Sequence, residues 1–190
     1  MIGGPISTGA ARTRASRLRT PPAAAGEHPG RLAASGAGKR ALRRTRFERP
    51  QLVTEVGRRL GGDRVVKVEV EQGLVLHADR EKLAQALANL LDNAAKFSPP
   101  AMPIEIRAAL IEREYVVSVR DHGAGISPEH WDRIFERFYK VDPARSREMP
   151  GSGLGLAITK HLVLLMGGRV WTAAAPDGGQ VFALALPAEP

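Results

Sequence analysis

The chain has 190 residues, 43% of them hydrophobic, which is enough to bury the core of one domain with an extension. It has no cysteine, which excludes disulfide frameworks, and no apolar run of transmembrane length, so we expect a cytoplasmic protein without direct membrane insertion. The net charge of +8 belongs to residues 1–49, which hold 11 basic and 2 acidic side chains, whereas residues 50–190 hold 17 and 18, so no nucleic-acid partner is expected.

Residues 1–46 differ in composition from the rest of the chain. They are rich in Gly, Ala, Pro, Arg, Ser and Thr, with almost no large apolar residues. Such a segment cannot bury enough surface to offset the entropy lost on ordering it. We therefore predict a disordered or marginally helical tail over 1–46 and a folded domain over 47–190.

The first half of that domain contains two kinds of periodicity. Leu52, Val53, Val56 and Leu60 have helical spacing, and Gly61-Gly62 ends the helix. Alternating valines predict a half-buried strand over 66–70, and Leu74–His77 reads as a second strand. Asp79 is placed to cap a long helix that reaches Phe97 and ends at Ser98-Pro99-Pro100.

The second half begins with two strands separated by a charged turn, 112–114, which predicts an antiparallel hairpin. The elements predicted after it are a short helix over 128–135, a polar loop over 139–150, a helix from the glycines to Met166, and closing strands near 170–172 and 181–186. Paired strands interleaved with three helices predict an α+β fold, a two-layer sandwich in which helices cover a mixed, mostly antiparallel sheet.

The long helix has two faces. Its leucines and Ala94 cluster on the side that would pack on the sheet, whereas Gln85, Asn89, Asn93 and Lys96 form a stripe about 80° wide on another side. Asparagine is a poor helix former. An amide oxygen suits Mg²⁺ and a lysine ammonium can meet a phosphate, although an ordinary wet helix face explains the stripe as well.

Two glycine motifs follow this helix. Asp121-His-Gly-Ala-Gly-Ile126 comes directly after a strand, where a carboxylate can accept a hydrogen bond from an exocyclic amine beside glycines that admit a flat ring. Gly151-Ser-Gly-Leu-Gly-Leu-Ala-Ile158 runs into a helix, and a helix N-terminus favours anions. A tight Asp/Gly turn and a glycine loop that binds nothing are the alternatives.

The helix stripe, Asp121-x-Gly-x-Gly, the segment Phe135-Glu-Arg-Phe-Tyr139 and Gly-x-Gly-x-Gly occur in that order within about 75 residues. In this order they resemble the ATP-binding catalytic domain of bacterial sensor histidine kinases. That domain has the Bergerat-type fold, which is shared with gyrase, heat-shock chaperone ATPases and mismatch-repair ATPases. The resemblance covers approximately residues 50–187.

The resemblance implies a Mg-ATP site. Asn93 would coordinate Mg²⁺, Asn89 would assist it and Lys96 would contact phosphate. Asp121 would bind the adenine amine, while Gly123 and Gly125 make room for the ring next to Ile126. Phe135 and Phe138 would anchor a lid over 139–150, and either Arg137 or Lys140 would reach the phosphates. The lid would be closed over the triphosphate by the glycine-rich segment, namely Gly151, Gly153, Leu154 and Gly155.

One position separates branches of this fold. Relatives that hydrolyse ATP place a glutamate base one turn before the Mg-binding asparagine, where this chain has Asn89. An amide cannot take a proton, so the resemblance implies that γ-phosphate is held with little hydrolysis until another nucleophile arrives. An anti-sigma-type serine kinase is disfavoured because that branch usually keeps the glutamate.

The resemblance does not extend to a phosphoacceptor domain. Ser16-Arg-Leu-Arg-Thr-Pro21 matches half of the motif around the acceptor histidine, with Ser16 in the histidine's place. The five histidines are expected to be solvent-facing or packed residues. A split kinase, a frame-shifted remnant and a chance match all explain this segment. We expect a monomer that phosphorylates a histidine on another protein and, through it, serves a response regulator. An ATP-binding regulatory module is the alternative.

Overall fold

The structure is a computed structural model that describes residues 44–48, 52–57, 64–71, 75–142 and 152–188, with the backbone alone for 44–48, 75 and 77. All of these lie in one compact unit, Leu42–Pro190. The Gly61-Gly62 pair predicted to end the first helix lies outside the described residues, as do most of the basic tail and Ser16-Arg-Leu-Arg-Thr-Pro21.

The described strands are β1 (Arg44–Glu48), β2 (Val66–Val70), β3 (Val75–Asp79), β4 (Ile104–Ile111), β5 (Glu114–Arg120), β6 (Arg169–Ala174) and β7 (Gln180–Pro187). The described helices are α1 (52–57), α2 (Arg80–Phe97) and α3 (Gly155–Leu165).

Five of the strands form one sheet in the order β2-β4-β5-β7-β6. β2 pairs with β4 in parallel, and the other neighbours are antiparallel. The predicted hairpin is β4–β5, closed at residues 112–113, where Glu112 has a positive φ of 57°. The predicted α+β class and the mixed, mostly antiparallel sheet are confirmed.

A strand that the sequence did not predict, β1, pairs antiparallel with β3 in a separate two-stranded sheet. The sequence analysis placed residues 44–46 in the tail, whereas the structure includes them in β1. Composition could not reveal this strand, because its partner lies about 30 residues further along the chain and the pairing is a tertiary event.

Helix α2 begins where the sequence places its cap. Asp79 is the last residue of β3 and the N-cap of α2, and its side chain accepts a hydrogen bond from the Lys82 main-chain N–H at 3.1 Å. At the other end, the Ser98 N–H donates to Ala94 O, and Pro99 prevents continuation. The Arg64 guanidinium donates to Ser98 O at 3.2 Å, which gives the helix C-terminus a positive partner.

The core lies between the helices and one face of the larger sheet. The predicted apolar face of α2 is buried, at Leu83, Ala86, Leu87, Leu90, Leu91 and Ala94. Complete burial of a leucine stabilises a fold by about 1.5–3 kcal/mol, so this face is sufficient to hold α2 on the sheet. The opposing sheet residues alternate along each strand, as Ile104, Ile106, Val117, Val119, Phe182 and Leu184.

The predicted short helix over 128–135 is corrected to two 3₁₀ turns, Pro128–His130 and Arg133–Phe135. The Trp131 N–H donates to Pro128 O, an i to i+3 bond, and the Trp131 indole donates to Ile126 O at 2.9 Å. That side-chain bond attaches the first turn to the preceding loop.

The described residues contain no helix with the length and apolar character that a membrane span requires.

Candidate functional site

Asp121 stands immediately after β5, and it is almost completely buried. Its Oδ1 accepts two main-chain hydrogen bonds, from Gly123 N at 2.8 Å and from Gln180 N at 3.2 Å. Among the described residues no hydrogen bond reaches Oδ2, and this atom is not sealed from solvent. The carboxylate is therefore held through one oxygen and presents the other to a ligand.

Burial raises the pKa of Asp121 above its ordinary value of 3.8, because desolvation disfavours the charged form. The two main-chain hydrogen bonds and the nearby His122 and Arg120 act in the opposite direction and are smaller influences. The carboxylate is consequently a partly desolvated acceptor, which strengthens a hydrogen bond to any donor that reaches Oδ2.

The loop 121–126 is packed against the end of α2. A Cβ added to Gly123 would lie 2.6 Å from Phe97 O, so a side chain here collides with the helix before it meets any ligand. This adds a packing reason to the prediction that Gly123 makes room for a ring. Gly125 has a φ of 77°, and a Cβ there would make only ordinary contacts, 3.6 Å from Gly179 O and 3.8 Å from Gln180 Oε1, so its requirement is conformational.

Two buried polar residues that the sequence analysis missed hold this loop. Ser98 Oγ accepts a hydrogen bond from His122 N at 2.8 Å, joining the end of α2 to the residue after Asp121. Gln180 Oε1 accepts from Ile126 N at 3.0 Å at the other end of the loop. Gln180 could have been noticed as an amide that opens an otherwise apolar strand, whereas Ser98 was interpreted only as a helix stop.

The predicted stripe on α2 lies near the same loop. Asn89, Asn93 and Lys96 are half-buried, whereas Gln85 is exposed. The Lys96 ammonium lies 5.3 Å from the centre of the Phe97 ring. Within the described part of the chain, no hydrogen bond involves the Asn93 amide, so its oxygen can serve a ligand.

Asn89 connects α2 to the glycine-rich segment. Its Nδ2 donates to Gly155 O at 3.2 Å, and Thr159 Oγ1 donates to the same carbonyl at 3.0 Å. The start of α3 thus lies beside Asn89, about 14 Å along α2 from Ser98 at 1.5 Å per residue. The start of α3 therefore contacts α2 at Asn89, and the Asp121 loop contacts it at Ser98, with Asn93 and Lys96 between these two points along the helix.

The glycine-rich segment is described from residue 152, and Gly151 lies outside the described residues. Gly153 has a φ of 67°, and a Cβ there would lie 3.0 Å from Phe138 Cα. Half-buried Leu154 precedes α3 without a side-chain cap, and its N–H donates to Ser152 Oγ at 3.3 Å. The first N–H groups of α3 are thus left without a capping side chain.

The two residues predicted to anchor the lid, Phe135 and Phe138, differ in how the structure holds them. Phe135 is buried in the core, whereas the Phe138 ring is 68% exposed. Phe138 is instead held by its backbone, which has a φ of 65° and donates its N–H to Gly153 O at 3.0 Å. That Phe138 anchors the lid remains a prediction, and the structure shows that a main-chain hydrogen bond attaches it to the glycine-rich segment. Arg137 and Lys140 are exposed, and residues 143–150 lie outside the described part.

The described histidines are packed or solvent-facing. His122 Nε2 lies 3.2 Å from Glu105 Oε1, His130 Nδ1 lies 2.7 Å from the Tyr139 hydroxyl, and His161 is exposed. Among the described residues, no group of three or more His, Asp or Glu side chains could hold a metal ion.

Comparison with known proteins identifies the family. Residues 78–190, more than half of the chain, match the model of the histidine kinase-, DNA gyrase B- and HSP90-like ATPases. The sensor-like histidine kinase SenX3 of Mycobacterium tuberculosis is 41% identical over 123 residues, which is 65% of this chain and 30% of SenX3. The chain thus spans less than a third of that relative.

Solved structures give the same result. The mycobacterial sensor histidine kinase MprB superposes with a TM-score of 0.67 at 32% identity, over 77% of this chain and 99% of that one. The histidine kinase ThkA in complex with the response regulator TrrA superposes with a TM-score of 0.67 at 26% identity, over 80% of this chain and 44% of that one. The chain belongs to the histidine kinase-, DNA gyrase B- and HSP90-like ATPase family and carries the ATP-binding catalytic domain of a sensor histidine kinase.

Proposed function

We propose that this chain binds Mg-ATP and transfers the γ-phosphate to a histidine on a separate phosphoacceptor protein, which then serves a response regulator. One observation carries the proposal. The loop that holds the half-satisfied Asp121 carboxylate and the uncapped N-terminus of α3 are both hydrogen-bonded to α2, at positions that lie on either side of Asn93 and Lys96 along the helix.

The Asp121 end of this arrangement suits an adenine ring. Oδ2 can accept a hydrogen bond from the exocyclic amine, while Oδ1 remains bonded to Gly123 and Gln180. Gly125 adds no side chain to the loop, and Ile126 is half-buried there with an apolar side chain. A flat, largely apolar ring with one amine matches these groups.

The opposite end suits a triphosphate with its metal. The donor set fits Mg²⁺, because the Asn93 amide oxygen is a hard ligand without a partner among the described residues and Mg²⁺ takes few protein ligands beside phosphate oxygens. Lys96 and the first N–H groups of α3 supply positive potential, and Arg137 and Lys140 are exposed cations on the adjoining segment. When bound, Mg²⁺ would neutralise charge on the transferring phosphoryl group.

Asn89 cannot act as the general base that would activate a water molecule in this scheme. It donates to Gly155 O through Nδ2 and has no basic group that could take a proton. Phosphoryl transfer depends mainly on positioning and charge neutralisation, so a nucleophile supplied by another protein is sufficient. The relatives are sensor histidine kinases, and ThkA has been seen with a response regulator, which supports a partner of this class.

The test is incubation of the protein with Mg-ATP labelled at the γ-phosphate and a panel of isolated histidine-bearing dimerisation domains. We expect label on one acceptor, stable in alkali and lost in acid, as for a phosphoramidate. An acceptor whose histidine is replaced by glutamine is the matched control. Acid-stable label would instead indicate a serine kinase, and ATP binding without transfer to any acceptor would indicate a regulatory module.

A further inference from the structure

Gln180 has an unusual place for an amide side chain. It is the first residue of β7, it is 1% exposed, and the strand that follows it is apolar. Burying an amide costs free energy unless its groups are hydrogen-bonded. Each hydrogen-bonding group of Gln180, in both main chain and side chain, has a partner in the structure.

The main chain of Gln180 holds the start of the loop 121–126. Gln180 O accepts from Asp121 N at 2.9 Å, and Gln180 N donates to Asp121 Oδ1 at 3.2 Å. The side chain holds the end of the same loop, because Oε1 accepts from Ile126 N at 3.0 Å. One residue therefore fixes both ends of a segment that belongs to no strand or helix.

The orientation of the Gln180 amide is set by Thr172. Thr172 Oγ1 donates to Val181 O at 2.9 Å, so its hydroxyl must accept from Gln180 Nε2 at 2.7 Å. A flipped amide would turn its NH₂ group towards Ile126 N–H, placing two donors together. Thr172 is buried, which makes this chain of three hydrogen bonds a fixed unit.

We propose that Gln180 is a positioning residue that determines nucleobase selectivity by fixing the distance between Asp121 and Ile126. This inference rests on the proposed function. Asp121 Oδ2 accepts from an amine and repels the carbonyl oxygen that guanine carries at the corresponding position. Such discrimination requires that the loop cannot widen to let a second base avoid the carboxylate.

The test compares Gln180→Leu and Thr172→Val with Ser118→Ala, which changes a buried polar side chain on β5 outside the loop. ATP and GTP affinities are measured by calorimetry, together with the melting temperature and exchange of the Ile126 amide without nucleotide. We expect Gln180→Leu to lower the ATP-to-GTP affinity ratio about tenfold and to speed Ile126 exchange about tenfold.

Thr172→Val should move both quantities in the same direction by a smaller factor and add little in the double variant, since both act through one amide. Ser118→Ala should leave the ratio unchanged. An unchanged ratio in a Gln180→Leu protein that binds ATP overturns the inference, even if its melting temperature falls. If Gln180→Leu does not fold, Thr172→Val decides in the same way. Failure of the wild type to bind ATP rejects the proposed function, and the selectivity inference with it.

Discussion

Replacement of Asp121 by asparagine separates a binding role from a structural one. Asparagine has nearly the same shape, and its Oδ1 can still accept from Gly123 N and Gln180 N. The atom that changes is Oδ2, which becomes an NH₂ donor. The variant therefore keeps the two hydrogen bonds that hold the loop while it inverts the group presented to the ligand.

The expected magnitude follows from these contacts. A hydrogen bond to a charged group contributes about 1.5–3 kcal/mol, or roughly 10- to 150-fold in affinity. Placing two donors opposite each other adds a desolvation penalty, so we expect ATP affinity to fall at least about 100-fold. The melting temperature without nucleotide should stay within about 2 °C of the wild type or rise, because a buried charge is removed.

The assay is calorimetric titration with Mg-ATP beside a thermal melt without nucleotide. Asp132→Asn is the matched control, since it removes an exposed aspartate in the turns after the loop and should change neither quantity. The reasoning would be refuted if Asp121→Asn bound ATP within threefold of the wild type. A large fall in melting temperature with little loss of affinity would show that Asp121 is structural.

The same contacts lead to three further predictions. ATP affinity should fall as the pH drops through the raised pKa of Asp121, because the protonated carboxyl is a poorer acceptor. The nucleotide-free protein should instead become more stable relative to Asp121→Asn as the pH falls from that pKa to 3.8, because the folded state binds the proton more tightly than the unfolded state. Thermal melts of both proteins from pH 7 to 4 check the sign. Gly123→Ala should destabilise the protein by about 1–3 kcal/mol through collision with Phe97 O, as measured by urea unfolding. Asn89→Glu should raise basal ATPase activity at least about tenfold over Asn89→Gln in a phosphate-release assay, with a lower melting temperature because glutamate cannot donate to Gly155 O.

The elements that the sequence predicted well are those whose signal is local. Asp79 caps α2 through its own side chain, and Pro99 ends the helix through its own ring. The valines of β2 alternate because one face of that strand is covered. By contrast, β1 is defined by its pairing with β3, and the sequence of residues 44–48 does not indicate that partner.

The candidate site shows the same division. Asp121, Asn93 and Asn89 were identified as candidate site residues from residue type and motif order, both of which can be read from the sequence. Ser98 and Gln180 were missed because each acts on a residue far away in sequence, His122 and Ile126 respectively. No motif marks a side chain whose role is to satisfy a distant main-chain N–H.

Phe138 illustrates how the tertiary structure changed the meaning of a predicted residue. The resemblance implied that Phe138 anchors the lid, and the structure shows an exposed Phe138 whose main-chain N–H donates to Gly153 O. The sequence by itself determined the family, the order of the motifs and the chemistry of the Asp121 and α2 side chains. Only the tertiary structure decided which Asp121 oxygen is left for a ligand and which buried amide holds the loop, because hydrogen bonds between distant segments exist only once the chain has packed.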